Sequence, residues 1–401
     1  MNREELLHLI ALTQIKGIGS VYTRLLIETY GSARGVFEAD RRSLAQLPRI
    51  GELLSAGVND PKVMERAQRE LDFIEAHNIR VSLYGTPDYP QRLSSCMDAP
   101  AVLYSIGSTP IDSPHVVSIV GTRRCTPYGR DMVNDFVRDL ATLVPDAVIV
   151  SGLALGIDVS AHKAAIAHGL PTIGVVAHGL DRIYPSIHRN IARQMIASGG
   201  GLITEYTSGT SPERGNFLAR NRIVAGMADA VIVAETGDHG GSLVTASIAQ
   251  SYDRDVYAFP GRATDEKSAG CNRLIRSNAA GLITSAEDLV NAMGWECRKQ
   301  LPKTQEQEIP FDNHISPLGR ELLALLKEQD SMTLSALAQQ TGHDSSTLTE
   351  ELLSLEMDNL IHRLPGSRYR VRGTYKKNTL INSTCLWRRA KRANHRDARP
   401  S

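Results

Sequence analysis

The sequence is short of several things, and each shortage narrows what the chain can be. Its five cysteines, Cys96, Cys125, Cys271, Cys297 and Cys385, are scattered through 401 residues with no CxxC pair. That argues against a disulfide framework and against a cysteine-based zinc site, and fits a reducing compartment. His162, His168, His178, His188 and His239 show no HExxH or HxH spacing, so neither a metal nor another cofactor is expected. No apolar run reaches membrane-spanning length, and the opening MNREELLHLI carries acids where a secretory leader is cationic. The expectation is a soluble, cytoplasmic protein with no membrane partner. Aromatic residues make up only 5%, so stacking surfaces are few. Neither charge dominates: Lys and Arg number 45, Asp and Glu 44. Any nucleic-acid surface must therefore be a local patch. GxGxxG and GxxxxGK[ST] are both missing, which disfavours a dinucleotide-dependent dehydrogenase and a P-loop ATPase.

What is present centres on residues 116–158. A β-branched run, Val116–Val120, ends in Gly121-Thr122-Arg123-Arg124. Met132, Phe136 and Leu140 then recur at helical spacing, with Val133 and Val137 beside them. A second apolar run, Ala147–Val150, ends in Ser151-Gly152-Leu153-Ala154-Leu155-Gly156. Strand, helix and strand of buried-strand composition make a right-handed βαβ unit. Glycine at each turn lets the backbone approach a ligand, and the helix that follows offers free N–H groups to a phosphate.

The rest of the chain extends this pattern on both sides. Residues 1–78 look helical, and two turns, Ile15-Lys16-Gly17-Ile18-Gly19 and Pro48-Arg49-Ile50-Gly51, resemble tandem helix-hairpin-helix turns. From 79 to 295 the βα alternation predicts a Rossmann-like, doubly wound, mostly parallel sheet. Residues 296–316 are polar and aperiodic, a linker. Residues 317–372 read as three helices and a hairpin, the winged-helix order, with Glu350, Glu351, Glu356 and Asp358 on or beside the third helix. Such an acidic helix suits protein contact at least as well as DNA reading. The tail, 373–401, has eight basic residues and one acid, Asp397, and is expected to be a disordered electrostatic arm.

Ligands of doubly wound sheets bind at the carboxyl ends of the strands. The loops expected there are rich in glycine and arginine. Their candidate DNA-binding residues are Gly121, Thr122, Arg123 and Arg124; Ser151, Gly152, Gly156 and Asp158; and Gly240, Gly241, Ser242 and Thr245. Arg220, Asn221 and Arg222 join them from a helix expected to open at the same edge. Phe217, one turn before Asn221, is either a base-stacking aromatic or a core residue. A glycine edge with several guanidinium groups suits a polyanion.

The run Phe217-Leu218-Ala219-Arg220-Asn221-Arg222-Ile223-Val224-Ala225-Gly226-Met227 resembles the FxxRNRIIAGLS run of the DNA-processing protein A family, DprA or Smf. So do residues 119–123, 151–158, Gly179-Leu180-Asp181-Arg182-Ile183-Tyr184-Pro185, 240–246 and 259–261, in the same order and spacing. The resemblance covers 80–295 and extends to the winged helix. It implies single-stranded DNA binding, delivery of incoming DNA to the RecA recombinase in natural transformation, and a homodimer. With no acid after Gly240-Gly241 and no Walker lysine, the chain is expected to be a binder and not an enzyme. The rival is a nucleotide-binding or nucleotide N-glycosidase enzyme on a related sheet. The N-glycosidase class places a catalytic glutamate soon after its glycine turn, and residues 240–247 supply no acid.

Overall fold

The computed structural model describes residues 2–108, 112–296, 315–329, 331–358, 360–364 and 367–371. The predicted linker and basic tail fall almost wholly outside them. The chain divides into two compact units, Met1–Lys303 and Thr304–Ser401.

The first unit is built on a nine-stranded sheet. Its strands are β1 (Arg80–Leu83), β2 (Val102–Gly107), β3 (His115–Gly121), β4 (Ala147–Ser151), β5 (Thr172–Val175), β6 (Gly201–Thr204), β7 (Ala230–Glu235), β8 (Asp255–Ala258) and β9 (Gly281–Leu282). The order is β1-β2-β6-β5-β4-β3-β7-β8-β9. From β6 to β9 every pairing is parallel, whereas β1–β2 and β2–β6 are antiparallel. The strands are apolar on both faces because helices cover both. Val116 and Val120 of β3 enter one core with Val231 and Val233, and Val117 and Ile119 enter the other with Ile149 and Ile232. The doubly wound sheet expected from the βα alternation is therefore present. Its antiparallel end is a departure. β1 was not expected, being four residues long and only half covered, too short for a period-two signal.

The chain reverses its direction of growth between β3 and β7, which makes the loops after these strands the topological switch point.

Six helices precede the sheet: Arg3–Thr13, Ser20–Tyr30, Ala33–Glu38, Arg41–Ala45, Gly51–Val58 and Pro61–Ala76. They share a core with Val102 and Tyr104 of β2. Glu70, on the last of these helices, accepts hydrogen bonds from the backbone N–H and hydroxyl of Ser208, just beyond β6. The N-terminal helices are thereby fixed to the carboxyl edge of the sheet. Gly17 turns the first hairpin at φ +89°, and a β-carbon there would press on Leu53. The second hairpin makes its turn with Arg49 at φ 69°, a conformation that costs a non-glycine residue energy.

The second unit packs helices Pro317–Glu328, Leu334–Thr341 and Ser345–Met357 on a small sheet, β10 (Met332–Thr333), β12 (Arg368–Val371) and β11 (Ile361–Leu364) in spatial order. This is the predicted winged-helix order with one added short strand. Its third helix leaves Leu353 and Met357 exposed. Among the described residues no helix is long and apolar enough to cross a membrane.

Candidate nucleic-acid interface

The two glycine loops flanking the sheet's centre meet through their backbones. Gly156, at φ +80°, brings Ile157 N–H within 3.1 Å of the Thr122 carbonyl, and any β-carbon on Gly156 would run into that oxygen. Gly121 is equally confined, between Ile157 and the Glu235 carbonyl. These glycines are required by close approach, with or without a ligand.

The first loop is organised from below by Glu235, at the end of β7. Its carboxylate accepts the Thr126 backbone N–H at 2.8 Å and the Thr126 hydroxyl at 2.7 Å, while its carbonyl accepts Thr122 N–H at 2.7 Å. Thr126 in turn caps the helix Pro127–Leu143 by accepting Gly129 N–H. Arg123 and Arg124 are left exposed at the tip. The Arg123 guanidinium lies over the Phe217 ring, 5.3 Å from its centroid.

The third glycine turn, after β7, starts the helix Gly241–Ser251 with no side-chain cap. A β-carbon on Gly241 would meet nothing, so the approach to the first N–H groups of that helix is open. Ser242 and Thr245 lie just inside, buried, and the Ser242 hydroxyl has no hydrogen-bond partner.

Four residues that the sequence placed at the ligand face turn out to point inward. The Ser151 hydroxyl donates to the Ile119 carbonyl at 2.6 Å and is buried. Asp158 is buried beneath the second loop, where its carboxylate accepts backbone N–H groups of Gly152 and Ala154 and faces Arg220. Gly152 N–H is thus directed to Asp158. Burial holds the Asp158 carboxyl above its ordinary range, against the pull of Arg220. Arg220 itself is buried, donating to the carbonyls of Gly152 at 2.6 Å and of Val175. Arg222 pairs with Glu205, and its Nε lies 3.9 Å from the Asp98 carboxylate. Asn221 is half-buried and accepts the Arg220 Nε–H.

Two other residues complete the edge, and the sequence had not singled them out as site residues. Arg214 is exposed at the first position of the helix Arg214–Gly226, three residues before Phe217. Gly215 and Asn216 are weak helix formers and had hidden that turn. Tyr184 is 48% exposed, its ring 5.7 Å from that of Phe217. Phe217 is accordingly half-buried between Tyr184 and Arg123, neither a core aromatic nor a free one. Among the described residues no group of three or more His, Cys, Asp or Glu converges on a metal-sized site. His162, His178 and His188 are buried and bond to Thr172, Gly179 and Leu153.

A doubly wound sheet whose switch point presents arginines and uncapped helix N–H groups, without a dinucleotide fingerprint or a Walker lysine, is a Rossmann-like protein with a glycine-rich edge that exposes basic groups. The family model described as DNA recombination-mediator protein A matches residues 80–294, and that of the DprA winged helix domain matches 305–367. Protein Smf of Synechocystis sp. is 31% identical over 414 residues, covering 93% of this chain and 100% of that one. DNA processing protein DprA of Streptococcus pneumoniae is 40% identical over 202 residues, 50% of this chain and 70% of its own. The X-ray structure of the S. pneumoniae protein superposes with a TM-score of 0.56 at 31% identity, covering 72% of this chain and 98% of that one. The chain belongs to the DNA recombination-mediator protein A (DprA/Smf) family, and its role is in DNA processing.

Proposed function

We propose that this protein binds single-stranded DNA along its glycine edge, protects incoming DNA and loads the RecA recombinase on it in the cytoplasm during natural transformation. The observation that carries the DNA part is the exposed Arg123 on the loop after β3 together with the open N-terminus of Gly241–Ser251 after the neighbouring β7, at the switch point of the sheet. Phosphate contact of this kind is indifferent to base order. The protein acts as a binder. Glu235 and Asp158, beneath the first and second loops, are buried and engaged by backbone N–H groups, and Asp238 lies 3.5 Å from Arg273. A gel shift with single- and double-stranded oligonucleotides tests this reading. A preference for the single strand that weakens with salt is expected, with no base released from nucleoside monophosphates and no ATP hydrolysed. Turnover of either substrate, or equal binding of duplex, would count against it.

The active form is a homodimer joined through the region Leu274–Leu289. β9 is the edge strand of the sheet, both its residues are exposed, and an open edge invites pairing or cover. Two-fold symmetry would put two DNA grooves on one particle. Light scattering at micromolar concentration should give twice the mass of 43.8 kDa. Leu282→Asp should shift the population toward monomer, and a parent already monomeric would defeat this part of the proposal.

A further inference from the structure

We infer that the third helix of the winged-helix unit is a docking face for the chain's own basic tail, and that Leu386-Trp387-Arg388-Arg389 is the segment that occupies it. A helix that enters a DNA groove faces phosphates and gains from Lys and Arg. Residues 344–358 carry five acids, Asp344, Glu350, Glu351, Glu356 and Asp358, and no Lys, Arg or His. The helix Ser345–Met357 buries Leu348, Leu352 and Leu355 in the core of its unit. Ser346, Glu350, Leu353 and Met357 follow one another at helical spacing on the opposite side, and all four are exposed. Leu353 is 56% and Met357 76% exposed, one turn apart. Glu351, on the flank, is engaged by the Ser316 hydroxyl at 2.6 Å, whereas Glu350 and Asp358 frame the apolar pair. Such a face repels a phosphate chain and fits an apolar segment followed by cations.

The tail supplies that chemistry. It holds two apolar pairs, Leu380-Ile381 and Leu386-Trp387, and only the second is followed directly by two arginines. Trp387 offers a broad apolar face to Leu353 and Met357, and a thioether packs well against an aromatic ring. Arg388 and Arg389 meet the carboxylates at the rim. Rim charges are worth little singly, so the apolar contact carries most of the affinity and the charges fix the direction. The tether favours this occupant over a free one. β12 ends at Val371, which pairs with Ile361, four residues beyond Met357. The tail thus leaves the fold close to the end of the same helix. The fifteen residues from Val371 to Leu386 span up to roughly 50 Å when extended, against about 20 Å for the whole helix. A flexible linker of this kind holds the segment at an effective concentration on the order of millimolar. A contact too weak to retain a separate peptide therefore persists within one chain.

The test uses the full chain and its own Cys385, the neighbour of Leu386. Ser354→Cys puts a second thiol on the exposed helix face and leaves Leu353, Met357 and Glu350 in place. Ala324→Cys puts one at an exposed position on the first helix of the same unit, as a control. A short bismaleimide joins the thiols, and peptide mass mapping tells the cross-links of Cys385 from those of the other four cysteines. Cross-linking of Cys385 to position 354 should be on the order of ten-fold faster than to position 324. Glu350→Lys should reduce that advantage, and Leu353→Ser/Met357→Ser should abolish it. Trp387, one of two tryptophans, gives a second reading in chains without added thiols. Its emission, isolated by comparison with Trp387→Phe, should be quenched less by acrylamide in the parent than in Leu353→Ser/Met357→Ser. Equal cross-linking rates at the two positions, or equal quenching, would overturn the docking. Loss of oligonucleotide affinity on deleting residues 373–401 would then assign the tail to DNA. A cross-linked species of twice the mass would give the face to the tail of a second copy and would equally overturn docking within one chain.

Discussion

Arg220→Met is expected to lower the melting temperature of the Met1–Lys303 unit by on the order of 10 °C. Arg220 lies under the second glycine loop, donating to the carbonyls of Gly152 and Val175 and facing the buried Asp158 carboxylate. Removing a buried charge leaves those carbonyls unsatisfied and the opposite buried charge uncompensated, which, as for a broken buried charge pair, costs about 3–5 kcal/mol. In a unit of this size each kcal/mol is worth roughly 2–4 °C. The double variant Arg220→Met/Asp158→Asn removes both charges and should recover part of the loss. The pH dependence has a definite sign. Burial already raises the Asp158 carboxyl above its ordinary value of 3.8, and Arg220 opposes that rise. Without Arg220 the folded-state value climbs further. A carboxyl whose folded value exceeds its unfolded one binds more protons in the native state, so stability falls as pH rises above the unfolded value. The deficit of Arg220→Met should thus be larger at about pH 7 than at about pH 5. Thermal denaturation followed by circular dichroism decides the matter. A single variant that melts with the parent at both pH values would show that Arg220 is not a structural group.

This inward role was partly legible. Arg220, Ile223, Val224 and Met227 follow an i, i+3, i+4, i+7 pattern, and all four are buried. The period alone put Arg220 on the covered face, yet charge argued for the surface. What the sequence did not contain was the counter-charge, because Asp158 approaches from a different βα unit. Arg222 is a similar case: Glu205 reaches it from the loop after β6, a contact that no local pattern announces. The sheet itself was easier to read, since buried parallel strands appear as continuous apolar runs such as AVIV at Ala147–Val150 and again at Ala230–Val233. The glycine loops were legible as turns. Their mutual contact, with Gly156 against Thr122, required the register between β3 and β4 to be known. Tyr184 escaped because it lies in an irregular loop and gains its neighbour Phe217 only through the fold.

Once the buried arginines are set aside, the weight of DNA binding falls on the arginines that remain free, and Arg123→Ala separates them. Its guanidinium is exposed at the switch point, with only the Phe217 ring beneath it. Losing one charge-assisted phosphate contact is worth about 1.5–3 kcal/mol, which converts to a roughly ten- to hundred-fold loss of affinity for single-stranded DNA. The logarithmic salt slope should also become shallower by about 0.7, the share of one phosphate on a single strand. Melting temperature should stay near that of the parent, because no buried charge is uncovered. Arg222→Met should behave in the opposite way. It strands Glu205, a carboxyl that burial raises and Arg222 pulls back, so it should destabilise the fold while leaving the salt slope intact. A salt series of fluorescence anisotropy on an unstructured oligonucleotide, run beside the melting curves, distinguishes the two. If folded Arg222→Met loses a phosphate's share of the slope, the Glu205 pair must open on binding, and Arg222 belongs to the interface after all. If Arg123→Ala binds as the parent does, the glycine edge is not where DNA sits.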